Sequence, residues 1–221
     1  MNVFDIIGPV MIGPSSSHTA GATRIGFLAR LLLGEEPREA IITLHGSFAH
    51  TYRGHGTDVA LVGGILNFKP NDERIKYSFL LAHNTNLSFT FKTEDIPEAH
   101  PNTAIIELTS VSGKKISMQG SSVGGGNIEI TRLNGKDVII TGQNPAIIVE
   151  YKDIPGRISE ISAVMARNKM NISQLHISRD KRGGTAVVTI QVDGDSIKEA
   201  IKEDIEKVEY VYNVILVPII A

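Results

Sequence analysis

Between residues 146 and 217 the apolar residues alternate between the two-residue repeat of a strand and the 3.6-residue repeat of a helix, and this order restricts the fold more than any other feature. Residues 146–150 (AIIVE) read as a buried strand. Asp153-Ile154-Pro155-Gly156 reads as a turn into a helix with Ile158, Ile161 and Met165 on one face. Residues 171–179 and 185–192 read as strands about the turn Lys181-Arg182-Gly183-Gly184, the second alternating Ala186, Val188, Ile190 and Val192. Asp195 or Ser196 is placed to cap a second helix carrying Ile197, Ala200, Ile201, Ile205 and Val208, and residues 211–217 form a last strand. The predicted order is βαββαβ. The polar connector 141–145, with Gly142 and Pro145, precedes it and sets the expected domains at 1–143 and 144–221.

Upstream the pattern is less regular. An apolar opening segment leads to Ile12–Gly21 (IGPSSSHTAG), then to residues 20–33, whose Ile25, Leu28, Leu31 and Leu32 suit a buried helix that Gly34 stops. A strand at 41–44 runs into a polar cluster at 45–58, followed by a short apolar helix at 59–66. Strands are expected at 75–82 and 87–92, then a polar spot at 99–104 and three β segments. Asn134-Gly135 is a strong hairpin signal between 128–133 and 136–141. Residues 120–126 (GSSVGGG) read as a loop needing positive φ or close backbone approach. The fold class is α+β, with chemistry gathered in the loops of the first domain.

A net charge of −2 supplies no basic field for nucleic acid or anionic membrane surfaces, and 5% aromatic content with no Trp argues against a base-stacking platform. No apolar run approaches the roughly 20 residues of a membrane span, and the N-terminus lacks the basic flank of a signal peptide, so a cytoplasmic location is expected. Cysteine is absent, which excludes disulfides, thiolate nucleophiles and thiolate metal sites on this chain.

In IGPSSSHTAG, Ser17 or Thr19 is placed to cap the following helix, and a capped helix start is also where hydroxyls and free N–H groups bind an anion. His45, His50 and His55 recur every five residues, a spacing that matches neither a helix face nor alternate strand positions, so a metal triad is not expected. His55 differs from the others. Glycine flanks it on both sides, and Thr57 and Asp58 follow closely enough to orient its ring. His83 and His176 fall in strand-like contexts with structural roles.

IGPSSSHT, GHGTD at 54–58, HPNT at 100–103 and SVGGG at 122–126 occur in one order, and together they resemble the β subunit of bacterial iron-sulfur L-serine dehydratase (L-serine ammonia-lyase). The resemblance covers the whole chain, because 144–221 is similar to the ferredoxin-like ACT domain attached to β subunits of the two-chain type. It implies deamination of L-serine to pyruvate and ammonia with a [4Fe–4S] cluster. Cluster iron needs cysteine thiolates, which this chain lacks, so the resemblance implies a cysteine-bearing α subunit that completes the site and a β chain inactive alone.

By the same resemblance His55 is the candidate base, oriented by Thr57 or Asp58, and His18 the second histidine. Ser15, Ser16, Ser17 and Thr19 would meet the substrate carboxylate, and His100 with Asn102 would complete a polar wall facing the α subunit. In the ACT-like domain Asp153, Pro155, Gly156 and Arg157 are candidates for binding a small amino acid, serine among them, and side-by-side pairing implies a homodimer with Arg157 and the turn 168–171 at its seam. A competing resemblance is to the extra domain of some phosphoglycerate dehydrogenases, which would make the chain a non-catalytic amino-acid sensor with anion sites in both domains.

Overall fold

The structure is a computed structural model that describes residues 10–220; the apolar opening segment falls mostly outside the described residues. The chain divides into two compact units after Gly135.

In the first unit a π-helical turn, Ser16–Gly21, runs directly into α1 (Ala22–Leu33), which Gly34 ends at φ 72°. Then follow β1 (Pro37–Leu44), α2 (Gly46–His55), α3 (Thr57–Ile65), a 3₁₀ turn (Glu73–Tyr77), α4 (Ser78–Asn84), β2 (Ser88–Thr93), β3 (Thr103–Ser110), β4 (Lys115–Gly124) and β5 (Asn127–Leu133). The strands lie in the order β2-β1-β3-β4-β5, β2 pairing parallel to β1 at the edge. Helices α1 and α3 approach until their backbones touch. A Cβ on Gly26 would lie 2.2 Å from the Leu61 carbonyl oxygen, and one on Gly64 would lie 2.1 Å from that of Thr23. Only glycine permits that approach.

Several expectations are corrected here. Residues 75–82 are a 3₁₀ turn and a helix, not a strand: Ile75, Ser78 and Ala82 are buried at helical spacing, while Tyr77, Phe79 and Leu80 are exposed. The polar cluster at 45–58 is mostly the helix α2, which buries only Phe48 and so shows no apolar repeat. Residues 120–124 belong to β4, where a Cβ on Gly120 would meet Ile130 at 2.5 Å, while Gly124, Gly125 and Gly126 have the positive φ expected of this stretch. Four strands, not three, lie between the polar spot and the connector at 141–145. The helix start is capped by Ser15, not by Ser17 or Thr19.

The second unit carries β6 (Lys136–Ile140), β7 (Ala146–Lys152), α5 (Arg157–Arg167), β8 (Ile172–Arg179), β9 (Thr185–Val192), α6 (Glu199–Glu206) and β10 (Val211–Val217). Strands β10-β7-β9-β8 form an antiparallel sheet, the βαββαβ order expected. The core packs Ile161, Val164 and Met165 of α5 and Ile201 and Ile205 of α6 against Val149, Val188 and Ile190. Helix α6 begins after Lys198 with no side-chain cap, so neither Asp195 nor Ser196 serves. Strand β6 packs against β8 and β9, and the Gln191 amide donates to the Ile139 carbonyl.

Candidate functional site

The site is built around the π turn. Ser15 is extended (φ −137°, ψ 126°), and its Oγ accepts from the His18 N–H at 3.1 Å, meeting one of the free donors of a helix start. The wider turn places the His18 ring against α2 and against the elements packed around it. His18 Nε2 lies 3.2 Å from Ser47 Oγ and Nδ1 lies 3.4 Å from Ser15 Oγ. The ring meets Phe48 edge-on at 5.3 Å and the His55 ring at 4.8 Å and 74°. Two imidazoles separated by 37 residues of sequence thus share one contact.

Helix α2 supplies both ends of this arrangement. Gly46, at φ 57°, sits where a Cβ would come within 2.6 Å of the Pro101 carbonyl oxygen, which seats the first turn and Ser47. Buried Phe48 anchors the helix, and His55 is its last residue, exposed, before Gly56 breaks the chain direction at φ 69°. Thr57 and Asp58 begin α3 and are buried. Neither orients His55 by a hydrogen bond, contrary to expectation. Asp58 Oδ1 accepts from the Val59 N–H at 2.8 Å, and Thr57 Oγ1 has no partner. The break at Gly56 turns these residues into the first turn of a new helix.

Burial, and then the charge of His55, hold the His18 imidazole below its ordinary pKa. Burial pushes the Asp58 carboxyl up, opposed by the backbone N–H groups of Val59 and Asp58 and by Arg53. At neutral pH His18 is therefore a neutral ring between two hydroxyls.

The remaining first-unit candidates lie on a turn before β3. His100, exposed, accepts at Nδ1 from the Asn102 N–H, and Asn102 exchanges backbone and side-chain bonds with Ser122. A Cβ on Gly21 would lie 2.1 Å from Ser122 Oγ, so β4 packs directly on the π turn. Thr19 is buried in the turn, while Ser16 and Ser17 are half-buried. Thr19 Oγ1, Thr57 Oγ1, Asn102 Oδ1 and Ser122 Oγ are all buried without partners. Each such atom costs about 1–3 kcal/mol. Ser47 and Ser122 were not singled out from sequence as site residues; Ser122 had a signal in SVGGG, and Ser47 had none.

His45 and His50 stand apart from the pair. His45 Nδ1 accepts from the Ile96 N–H at 3.0 Å, a contact that ties the start of α2 to the segment after β2. His83 lies in α4 and His176 in β8. Among the described residues no group of three His, Asp or Glu is placed to hold a metal ion, and the chain has no cysteine. The donor set therefore does not fit an iron-sulfur cluster.

In the second unit a cleft of about 370 Å³ is lined by Asp153, Pro155, Gly156, Ser159, Arg179 and Arg182, among others. Asp153 accepts from Arg179 at 3.0 Å and from the Gly183 N–H at 3.2 Å, contacts that hold its carboxyl below the usual range. Gly156, at φ 92°, precedes α5. Arg157 is engaged elsewhere, donating to the Glu209 carbonyl and to Glu160. In the 168–171 turn, Asn168 donates to the Val164 carbonyl and Asn171 to Asp193.

Residues 2–86 match the family model described as "Serine dehydratase beta chain", and 147–213 match "AHAS small subunit-like ACT domain". The chain is 46% identical over 213 residues to the probable L-serine dehydratase, beta chain, of Bacillus subtilis, covering 96% of each. The chain belongs to the serine dehydratase beta-chain family. Another beta chain, from Peptoniphilus asaccharolyticus, is 40% identical and covers 90% of this chain and 92% of its own length. A protein named simply L-serine dehydratase, from Haemophilus influenzae, is 29% identical over 78% of this chain but only 44% of itself. The stretch of this chain that matches thus spans less than half of that relative's length.

Proposed function

We propose that this chain is the β chain of a two-chain L-serine dehydratase, which deaminates L-serine to pyruvate and ammonia together with a cysteine-bearing α chain. The carrying observation is the His18–His55 contact at 4.8 Å between the hydroxyls of Ser15 and Ser47. Removing the α-proton of serine needs a base that is neutral near pH 7. Burial, and then repulsion from a charged His55, hold the His18 ring below its ordinary pKa, which keeps a neutral imidazole in the site. His55 is the base in this reading: it is exposed, whereas both His18 nitrogens face serine hydroxyls. Ser15, Ser16 and Ser17 sit beside the substrate carboxylate, and His100 and Asn102 wall the site. Loss of the β-hydroxyl falls to the α chain, where we place the [4Fe–4S] cluster, because this chain has no thiolate.

The second unit is assigned a regulatory role, binding a small amino acid at Asp153–Gly156 and pairing with a second copy. The test is anaerobic reconstitution of the complex with His55→Ala and with His18→Ala, following pyruvate and exchange of the serine α-proton into deuterated water. Exchange is expected to vanish without His55. Exchange that survives its loss would move the base elsewhere.

A further inference from the structure

The first unit carries an aromatic ridge that its own packing covers only in part: Tyr52, Phe89 and Phe91 are half-buried and its end at α4 is exposed. Phe79 of α4 meets Phe89 of β2 at 4.9 Å, Phe89 meets Phe91 at 6.0 Å, and Phe91 stacks on Tyr52 of α2 at 5.8 Å. Phe79 is 38% exposed, and Leu80 and Tyr77 beside it are 60% and 55% exposed. The strand beneath is the sheet edge, pairing with β1 on one side alone among the described residues. An open edge strand bearing aromatic side chains is a surface that proteins cover. Cations rim it: Arg53 lies 5.4 Å from the Tyr52 ring centre and Lys76 lies 5.4 Å from that of Tyr77.

What covers it follows from the helix that carries Tyr52. His55 lies three residues on, so the two share a face of α2, and the ridge is continuous with the histidine pair. A chain that closes over His55 to reach its proton therefore meets Tyr52 and the rings stacked on it. We infer that the ridge of Tyr52, Phe79, Phe89 and Phe91, extended by the exposed Tyr77 and Leu80 beside Phe79, is the seat of the α chain, a partner presenting an apolar surface with acidic groups at its margin. This rests on the two-chain reading above and gives the partner a place on the β chain. The Bacillus subtilis and Peptoniphilus asaccharolyticus relatives are each named a beta chain, which points to a different chain as the partner over a second copy of this one.

The experiment measures binding of the purified α chain to the full β chain carrying Leu80→Glu, and separately Tyr77→Glu, with Val111→Glu as a control on the exposed β3–β4 turn. All three positions are exposed, and circular dichroism with thermal unfolding checks each fold. The ridge variants are expected to bind about tenfold more weakly or worse, as loss of an interface anchor does, with the control unchanged. Ridge variants that bind like wild type overturn the inference and leave the two-chain reading intact. Wild-type β chain that binds no α chain overturns both. If Leu80→Glu instead dissolves a β-chain dimer in sedimentation and leaves α binding unaltered, the seat belongs to a second copy and the inference is wrong.

Discussion

At the scale of single residues, His18 and Asp58 are two titratable groups whose surroundings work against their charge. The folded chain holds His18 below its ordinary 6.5, so the unfolded chain binds more protons once pH falls toward that value. Stability is then lost as pH drops through about 6.5 and levels off below the folded pKa. Urea melts of His18→Gln between pH 8 and 5 should show a shallower acid decline than wild type. Asp58 works in the opposite sense: its raised pKa means that folding is penalised once pH rises past the ordinary carboxylate range. Asp58→Asn keeps an acceptor for the Val59 N–H and removes the charge. It should raise the melting temperature at pH 7 and lose its advantage at pH 3. A gain in stability together with lost activity in the reconstituted enzyme would mark Asp58 as a carboxylate held for function.

At the scale of elements, glycines do two separate jobs, and substitutions should tell them apart. Gly64→Ala drives a methyl into the Thr23 carbonyl and the Phe27 amide, at 2.1 and 2.5 Å, and must push α1 from α3. A loss of about 3 kcal/mol is expected in denaturant unfolding, at the upper end of overpacking costs. Gly56 has open space around it, so Gly56→Ala should cost about 1 kcal/mol, the left-handed backbone penalty alone. Its larger effect should be on turnover, since Gly56 ends the helix that carries His55.

The elements also divide by how far they could be read. Strands β9 and β10 match the sequence reading residue for residue, because each has one face committed to the helices α5 and α6. Helix α2 was hidden because its anchor is a single phenylalanine, and its other residues serve the site instead of the core. The strand expected at 75–82 failed for a related reason: its buried positions Ile75, Ser78 and Ala82 follow a helical repeat, but one of them is a serine and the apolar Tyr77, Phe79 and Leu80 between them are exposed, so the repeat is masked. The motif residues His18, His55, Thr19, Thr57 and Asn102 were legible, but their relative placement was not. A π turn has no sequence signature, and its packing on Gly21 and Ser122 joins segments a hundred residues apart.

At the scale of the whole molecule, the point of division is itself testable. Sequence composition put the boundary at 143, whereas the compact units separate after Gly135 and β6 goes with the second. Lys136 pairs with Glu150 at 3.3 Å, and Val138 and Ile140 are buried. A fragment beginning at 136 should therefore melt several degrees above one beginning at 144, given about 1.5–3 kcal/mol for each buried aliphatic side chain. Equal melting temperatures would assign β6 no part in that unit's stability. No helix among the described residues is long and apolar enough to cross a membrane.

The π-helical turn at Ser16–Gly21 has one last consequence. Such a turn is an ordinary helix that has taken in one surplus amino acid, so a single codon separates it from the regular form. Deleting that codon would let α1 keep its seat while swinging the imidazole by about 100°, one helical step, away from its neighbour. Scaffold and ring placement can thus change separately: one small insertion or deletion moves the imidazole without rebuilding the sheet and helices beneath it.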